Sequence, residues 1–169
     1  MKKVIGYVST KDLGTLKEQD IKNLDVINIA FGLIERHRVV WDSCGNEEYL
    51  PKIREINPDI KIVLSVGGWG ADGFSQAARS EEGRALFAVS AVSLVETYGL
   101  DGIDIDWEYP GTSLAGIGSH VNDKENYTLL LKALRESLNH MEGEKSLSVA
   151  VGGDVYFALQ TDMKAASKY

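Results

Sequence analysis

The stretch Asp101-Gly102-Ile103-Asp104-Ile105-Asp106-Trp107-Glu108-Tyr109-Pro110 sets acids at every second position, with large apolar residues between them. In an extended strand side chains alternate, so Asp104, Asp106 and Glu108 fall on one face and Ile103, Ile105 and Trp107 on the other. Neighbouring carboxylates are then roughly 6–7 Å apart, at ~3.3 Å per residue. A solvated strand edge is the simple alternative. It fails because Ile, Ile and Trp demand burial, and an ordinary sheet does not bury three unpaired acids. Desolvation and mutual repulsion are expected to raise at least one of these carboxyl pKa values, which separates a proton donor from a charged partner. Hard cations also take oxygen ligands, so a Mg²⁺ site is the other use of the same side chains. An EF-hand is excluded, because Tyr109 stands where that loop needs Gly and Ala115 where it needs its closing Glu.

Four further apolar, β-branched runs, Val4–Val8, Val26–Phe31, Ile62–Val66 and Leu147–Val151, join Gly102–Trp107 as strand candidates. None alternates strongly, as expected of strands covered on both faces. Helical patterns fall between them. Thr15–Asn23 is short; Glu47–Ile56 aligns Leu50, Ile53 and Ile56 and stops at Asn57-Pro58. Ser80 N-caps a helix to Tyr98 with Glu81 and Glu82 in its first turn, and Gly99 ends it. Asp123–Met141 turns Tyr127, Leu130, Leu131, Leu134 and Leu138 to the core, and Gly143 closes it. Leu33–Val40 reads as a small hairpin inserted after the second strand. The strand candidates begin 22, 36, 40 and 45 residues apart, room for right-handed βαβ crossovers. An α/β fold follows, either a doubly wound sheet or a (β/α)8 barrel. In both, Glu108 lies at the carboxyl end of its strand, where such enzymes hold their chemistry.

At these residues the chain resembles glycoside hydrolase family 18, the chitinases and related endo-N-acetylglucosaminidases. The signature Asp-x-x-Asp-x-Asp-x-Glu is matched by Asp101, Asp104, Asp106 and Glu108, and Ser-x-Gly-Gly by Ser65-Val66-Gly67-Gly68, followed by Trp69. The resemblance runs from Val4 to about Gly153. It implies a (β/α)8 TIM barrel, of which residues 1–169 hold about the first five β/α units of the catalytic domain. It also implies cleavage of β-1,4-linked N-acetylglucosamine polymers, chitin or chitooligosaccharides, with retention. The substrate's own 2-acetamido oxygen attacks the anomeric carbon, an exception to the two-carboxylate scheme. Glu108 is then the general acid and later the base, Asp106 orients the acetamido group, and Asp104 shares a proton with Asp106. Asp101 is structural. Ser65 supports the Asp pair, and Tyr7 stands where the family contributes a site tyrosine. Trp69 is a sugar-stacking platform or else a packed core tryptophan. Phe31, Gly68 and Tyr109 are further substrate-binding or supporting positions, Phe31 having a core residue as its alternative. An endo-β-N-acetylglucosaminidase of N-glycans and a noncatalytic chitin-binding lectin are the competing functions. The intact Glu108 speaks against the lectin, in which that acid is typically replaced. No metal and no cofactor are expected.

Other signals are weaker. Gly68-Trp69-Gly70-Ala71-Asp72-Gly73 matches Gly-x-Gly-x-x-Gly, but Trp69 would crowd a pyrophosphate and the next helix is expected only near Ser80. Cys44 is the sole cysteine and sits in a turn-like cluster, and His37, His120 and His140 are scattered in polar segments. A net charge of −7 and the lack of basic patches argue against nucleic acid or anionic membranes as partners. The N-terminal apolar run is too short for a signal peptide, so any export signal is removed or absent, and the parent protein is expected to be secreted or extracytoplasmic. Because a complete barrel needs ~250 residues, five strands would leave two open edges that invite self-association through those edges. Size-exclusion chromatography of the 169-residue chain is expected to show oligomers or aggregates without hydrolytic activity. A monodisperse, active monomer would contradict this.

Overall fold

The chain is described by a computed structural model covering residues 2–169, with no account of the Tyr156 side chain. The strands are β1 (Ile5–Ser9), β2 (Val26–Glu35), β3 (Arg38–Val40), β4 (Lys61–Gly67), β5 (Gly102–Asp106) and β6 (Ser146–Val149). The helices are α1 (Glu18–Asn23), α2 (Tyr49–Ile56), α3 (Phe74–Ala78), α4 (Glu81–Thr97), α5 (Asp123–Leu138), α6 (Val155–Gln160) and α7 (Met163–Ala166). Strands pair in the order β1-β2-β4-β5-β6, all parallel, and β3 lies antiparallel on the end of β2. Each crossover therefore adds its strand on the same side. A doubly wound sheet would reverse direction; this winding is that of a barrel, of which the chain holds a part.

The sheet is curled. In a flat sheet β1 and β5, with β2 and β4 between them, would stand about 14 Å apart at ~4.8 Å per strand. The Tyr7 hydroxyl on β1 nevertheless donates to the Asp104 carboxylate on β5 at 2.8 Å. The inner faces of the outer strands converge, and what lies between them is the concave interior.

On the outer face Ile27, Ile29, Ile62, Leu64, Ile103 and Ile105 meet the helices in one core with Phe87, Ala91, Val95, Leu130 and Leu134. Trp107 stacks on Phe74 at 5.1 Å between ring centroids and packs against Tyr127. Ser80 caps α4 by accepting the Gly83 amide at 3.0 Å, and the five apolar residues expected on α5 are buried. Among the described residues no helix is long and apolar enough to cross a membrane.

Several expectations need correction. Burial on both faces holds for β4 and β5 but not for β1 and β6, each paired on one side only; Ile5 and Tyr7 are half exposed. The expected hairpin over Leu33–Val40 forms, with Leu33 paired to Val40 and a turn at Arg36-His37, both at positive φ, but its first arm is the continuation of β2 through an irregularity between Ala30 and Gly32. The Thr15–Asn23 and Glu47–Ile56 helices each begin later, preceded by 3-10 turns at Thr10–Thr15 and Asn46–Glu48. The short helix α3 was not expected, and it opens at Phe74 rather than near Ser80, because Phe74 docks on Trp107 and holds the turn in place. Residues 155–169, for which no element was expected, carry two short helices, α6 and α7.

At the amino end of β5, Asp101 accepts the Ile62 amide at 2.8 Å and Arg54 Nη2 at 2.9 Å, with Lys61 Nζ at 3.4 Å. Burial pushes its carboxyl up, but the Ile62 hydrogen bond and the Arg54 and Lys61 charges outweigh it and hold the group below the usual range. A depressed carboxyl contributes stability above its unfolded pKa, and that contribution fades as pH falls through the folded value. Asp101→Asn is expected to cost about 2 kcal/mol at pH 7. Urea unfolding should show that deficit shrinking toward pH 3.

Candidate active site

The concave side of the sheet gathers the acids. Register places Ser65, Asp104 and Ser148 in one row across β4, β5 and β6. Asp104, 1% exposed, accepts hydrogen bonds from three hydroxyls: Ser65 Oγ at 2.8 Å and Tyr7 at 2.8 Å on Oδ2, and Ser148 Oγ at 2.6 Å on Oδ1. Burial, then the Asp104 charge, push the Tyr7 phenol up to about 12, against a hydrogen bond with Asn28 that lowers it. Tyr7 thus keeps its proton at neutral pH and remains a donor.

One pleat further along the same face stands Asp106, 9% exposed, and beyond the strand end Glu108, half-buried. Burial raises the Asp106 carboxyl to about 6, reinforced by the Glu108 and Asp104 charges and by a hydrogen bond with Glu108. The tyrosine beside them, Tyr109, is likewise shifted up, by desolvation first and then by Glu108. No cation is among the groups acting on Asp106.

The double glycine after Ser65 has a local cause. Gly67 lies at φ +120°, and a Cβ there would sit 2.2 Å from the Asp106 carbonyl oxygen. Gly68, at φ +91°, donates its amide to that same oxygen at 2.9 Å, and a Cβ on it would meet the Phe31 ring at 2.8 Å. Only glycine lets β4 end this close to β5.

A cleft of about 560 Å³ opens over these groups, lined among others by Tyr7, Phe31, Asp106, Glu108, Tyr109 and Val151. The structure therefore brings Tyr7, Ser65, Asp104, Asp106 and Glu108 together, with Phe31 and Tyr109 lining the cleft and Gly68 against the Phe31 ring outside that lining. Trp69 is 66% exposed and packs edge-on against Tyr109 at 6.4 Å. It is not a core tryptophan, and it stands beside the cleft rather than in its lining. Asp101 lies at the far end of β5, away from the cleft.

Two inward residues, Asn28 and Ser148, were missed in the sequence. Asn28 is 3% exposed, and its Oδ1 has no partner. The available signal was their polarity at a strand position that alternates with apolar ones. No group of three or more His, Cys, Asp or Glu side chains arranged to hold a metal ion occurs among the described residues.

The raised Asp106 pKa has a defined linkage. The native state holds this proton up to about pH 6 and the unfolded chain only to 3.8, so ionising Asp106 costs stability as pH rises through that window. Asp106→Asn removes the cost. Its stability relative to the unsubstituted chain is expected to be more favourable at pH 7 than at pH 4, read from urea unfolding at both values.

The sequence matches Glycosyl hydrolases family 18 over residues 3–169. Chitinase A1 of Niallia circulans is 40% identical over 131 residues, 73% of this chain and 19% of that protein. Among solved structures, a family 18 N-acetylglucosaminidase from Paenibacillus barengoltzii superposes with a TM-score of 0.95 at 43% identity, covering 99% of this chain and 51% of that one. The chitinase domain of the spore coat protein CotE from Clostridium difficile gives 0.88 at 35% identity, over 99% and 47%. The chain thus spans about half, or less, of the proteins it matches, and over that span it belongs to glycosyl hydrolase family 18.

Proposed function

We propose that this chain carries the acid-base half of a retaining glycoside hydrolase acting on β-1,4-linked N-acetylglucosamine polymers, with the substrate as its own nucleophile. The supporting observation is the Asp106–Glu108 pair at and just beyond the carboxyl end of β5, both lining one open cleft, with the Asp106 carboxyl raised by burial and by the Glu108 charge. Both carboxyls come from one face of a single segment, two residues apart, and so do not flank a glycosidic bond from opposite sides as the pair in an ordinary retaining enzyme does. Asp106 is therefore on the same side as Glu108 and is not placed to attack from the opposite face. The 2-acetamido oxygen of the substrate can.

Glu108 protonates the glycosidic oxygen as the acetamido oxygen bonds to the anomeric carbon and the glycosidic bond breaks. Asp106 accepts a hydrogen bond from the acetamido N–H, which aims that oxygen, and its negative charge offsets the positive oxazolinium-like ring. Water then attacks the anomeric carbon from the side the leaving group vacated. Glu108 takes the water's proton, the ring opens and configuration is retained. Asp104 stays buried beneath as the fixed negative neighbour of Asp106. Trp69 offers an exposed indole on which a sugar face can stack. A substrate outside the cell is consistent with a secreted parent protein, and the once-paired edges of β1 and β6 with self-association of the isolated chain.

The likeness to the Paenibacillus N-acetylglucosaminidase favours, as a second reading, release of single N-acetylglucosamine units from short chains by the same chemistry. Product length distinguishes the two. In the complete barrel, with this chain as its first β/α units, Glu108→Gln is expected to lower hydrolysis of a chromogenic chitooligosaccharide roughly a hundred- to ten-thousandfold. Binding, measured by calorimetry, is expected to stay within a few fold. Unchanged turnover would overturn the proposal.

A further inference from the structure

We infer that Ser148, in β6, is a positioning residue that holds Asp104 as a pure acceptor and so leaves Asp106 to pair with Glu108. This rests on the hydrolytic reading above and concerns the same site.

The geometry is a clamp. Ser65 on β4 and Ser148 on β6 flank Asp104 in register and donate to different oxygens of its carboxylate, at 2.8 Å and 2.6 Å. Tyr7 adds a second donor to Oδ2 at 2.8 Å, while Oδ1 has Ser148 alone among the described side chains. A hydroxyl carries one proton, and all three spend it on Asp104. Without Ser148, Oδ1 is a carboxylate oxygen without a hydroxyl donor in a residue that is 1% exposed. Such an oxygen takes a proton from what is at hand.

What is at hand is Asp106, whose carboxyl is the next on the same face. Below about pH 6 it has one proton to give. Donated to Asp104, it is no longer shared with Glu108, and Asp106 turns away from the place where the acetamido group must sit. The titratable groups facing this row are Tyr7 from β1, Asp106 and Glu108 from the end of β5, and Tyr109 beyond it; Tyr127 from α5 lies on the helix side of the sheet, where its hydroxyl feels the Asp104 charge. None of them is a cation, and among the described residues the side-chain donors to Asp104 are hydroxyls. Ser148 is the member of the clamp contributed by the last strand.

The test uses the complete barrel. Ser148→Ala is expected to lower kcat roughly tenfold with KM nearly unchanged, and to move the acid limb of kcat to higher pH. Ser148→Thr keeps the hydroxyl and Ser148→Val is its isostere without one, so this pair separates hydrogen bonding from packing even where the alanine variant folds poorly. Thr is expected to stay within about threefold of the parent while Val falls with Ala. Equal loss in Thr and Val, or a parent-like kcat and pH profile in Ala, overturns the inference. Carbon-13 titration of the aspartate carboxyls supplies a readout independent of turnover. If the parent barrel does not hydrolyse chitooligosaccharides, the proposed function fails. Ser148 is then judged by whether the carboxyl titration changes in Val but not in Thr; identical curves refute its role.

Discussion

A carboxylate in the middle of a parallel sheet is stable only if its hydrogen bonds are made, and Asp104 is where this structure meets that condition. Three hydroxyls from β1, β4 and β6 converge on it. Two of them come from strands paired directly with β5, which any parallel sheet in this register provides. The third comes from the opposite edge of the sheet and reaches Asp104 only because the sheet curls. The Tyr7–Asp104 hydrogen bond is therefore both a measure of the curvature and a contribution to the site. Shift the register by one residue and the clamp disappears, since every side chain on the strand changes face.

From that fixed charge the behaviour of the neighbouring acids follows. Four carboxylates share one short segment, yet they stand in different surroundings. Asp101 at the amino end meets Arg54, Lys61 and a backbone amide, and is held below the usual carboxylate range despite burial. Asp106 near the carboxyl end meets only other acids and burial, and is raised. The strand thus places a structural anion at the closed end of the fold and a proton-holding pair at the open end. The distance between them, five residues along β5, keeps the cations of one from neutralising the other.

Much of this was legible in the sequence. Alternation in Asp101–Pro110 assigned faces correctly: Trp107 and the isoleucines are buried in the helix-side core, and the acids point inward. The Ser-x-Gly-Gly signature was legible as a motif, and its reason became visible only with the Asp106 carbonyl lying against Gly67 and Gly68. Asn28 and Ser148 were not legible, because a single polar residue in an apolar run has no marked partner until register sets it beside one. Trp69 was undecided for the same cause. Its exposure depends on where Tyr109 and the loop after Gly68 come to rest, and no local period encodes that. The exposed faces of β1 and β6 were mistaken for covered ones, since an apolar run reads alike whether or not a further strand pairs with it.

The sequence by itself determined the strand and helix succession, the sidedness of β5 and the chemical type of the site, because each depends on residues near one another in the chain. Strand alternation, capping at Ser80 and acids at every second position are local facts. Only the tertiary structure decided which hydroxyls hold Asp104, that Asp106 and Glu108 line one cleft with Tyr7 and Phe31, and that Trp69 stands outside the cleft lining. Those depend on pairing between strands some forty residues apart and on the curl of the sheet, which bring together side chains that the chain itself keeps far from one another.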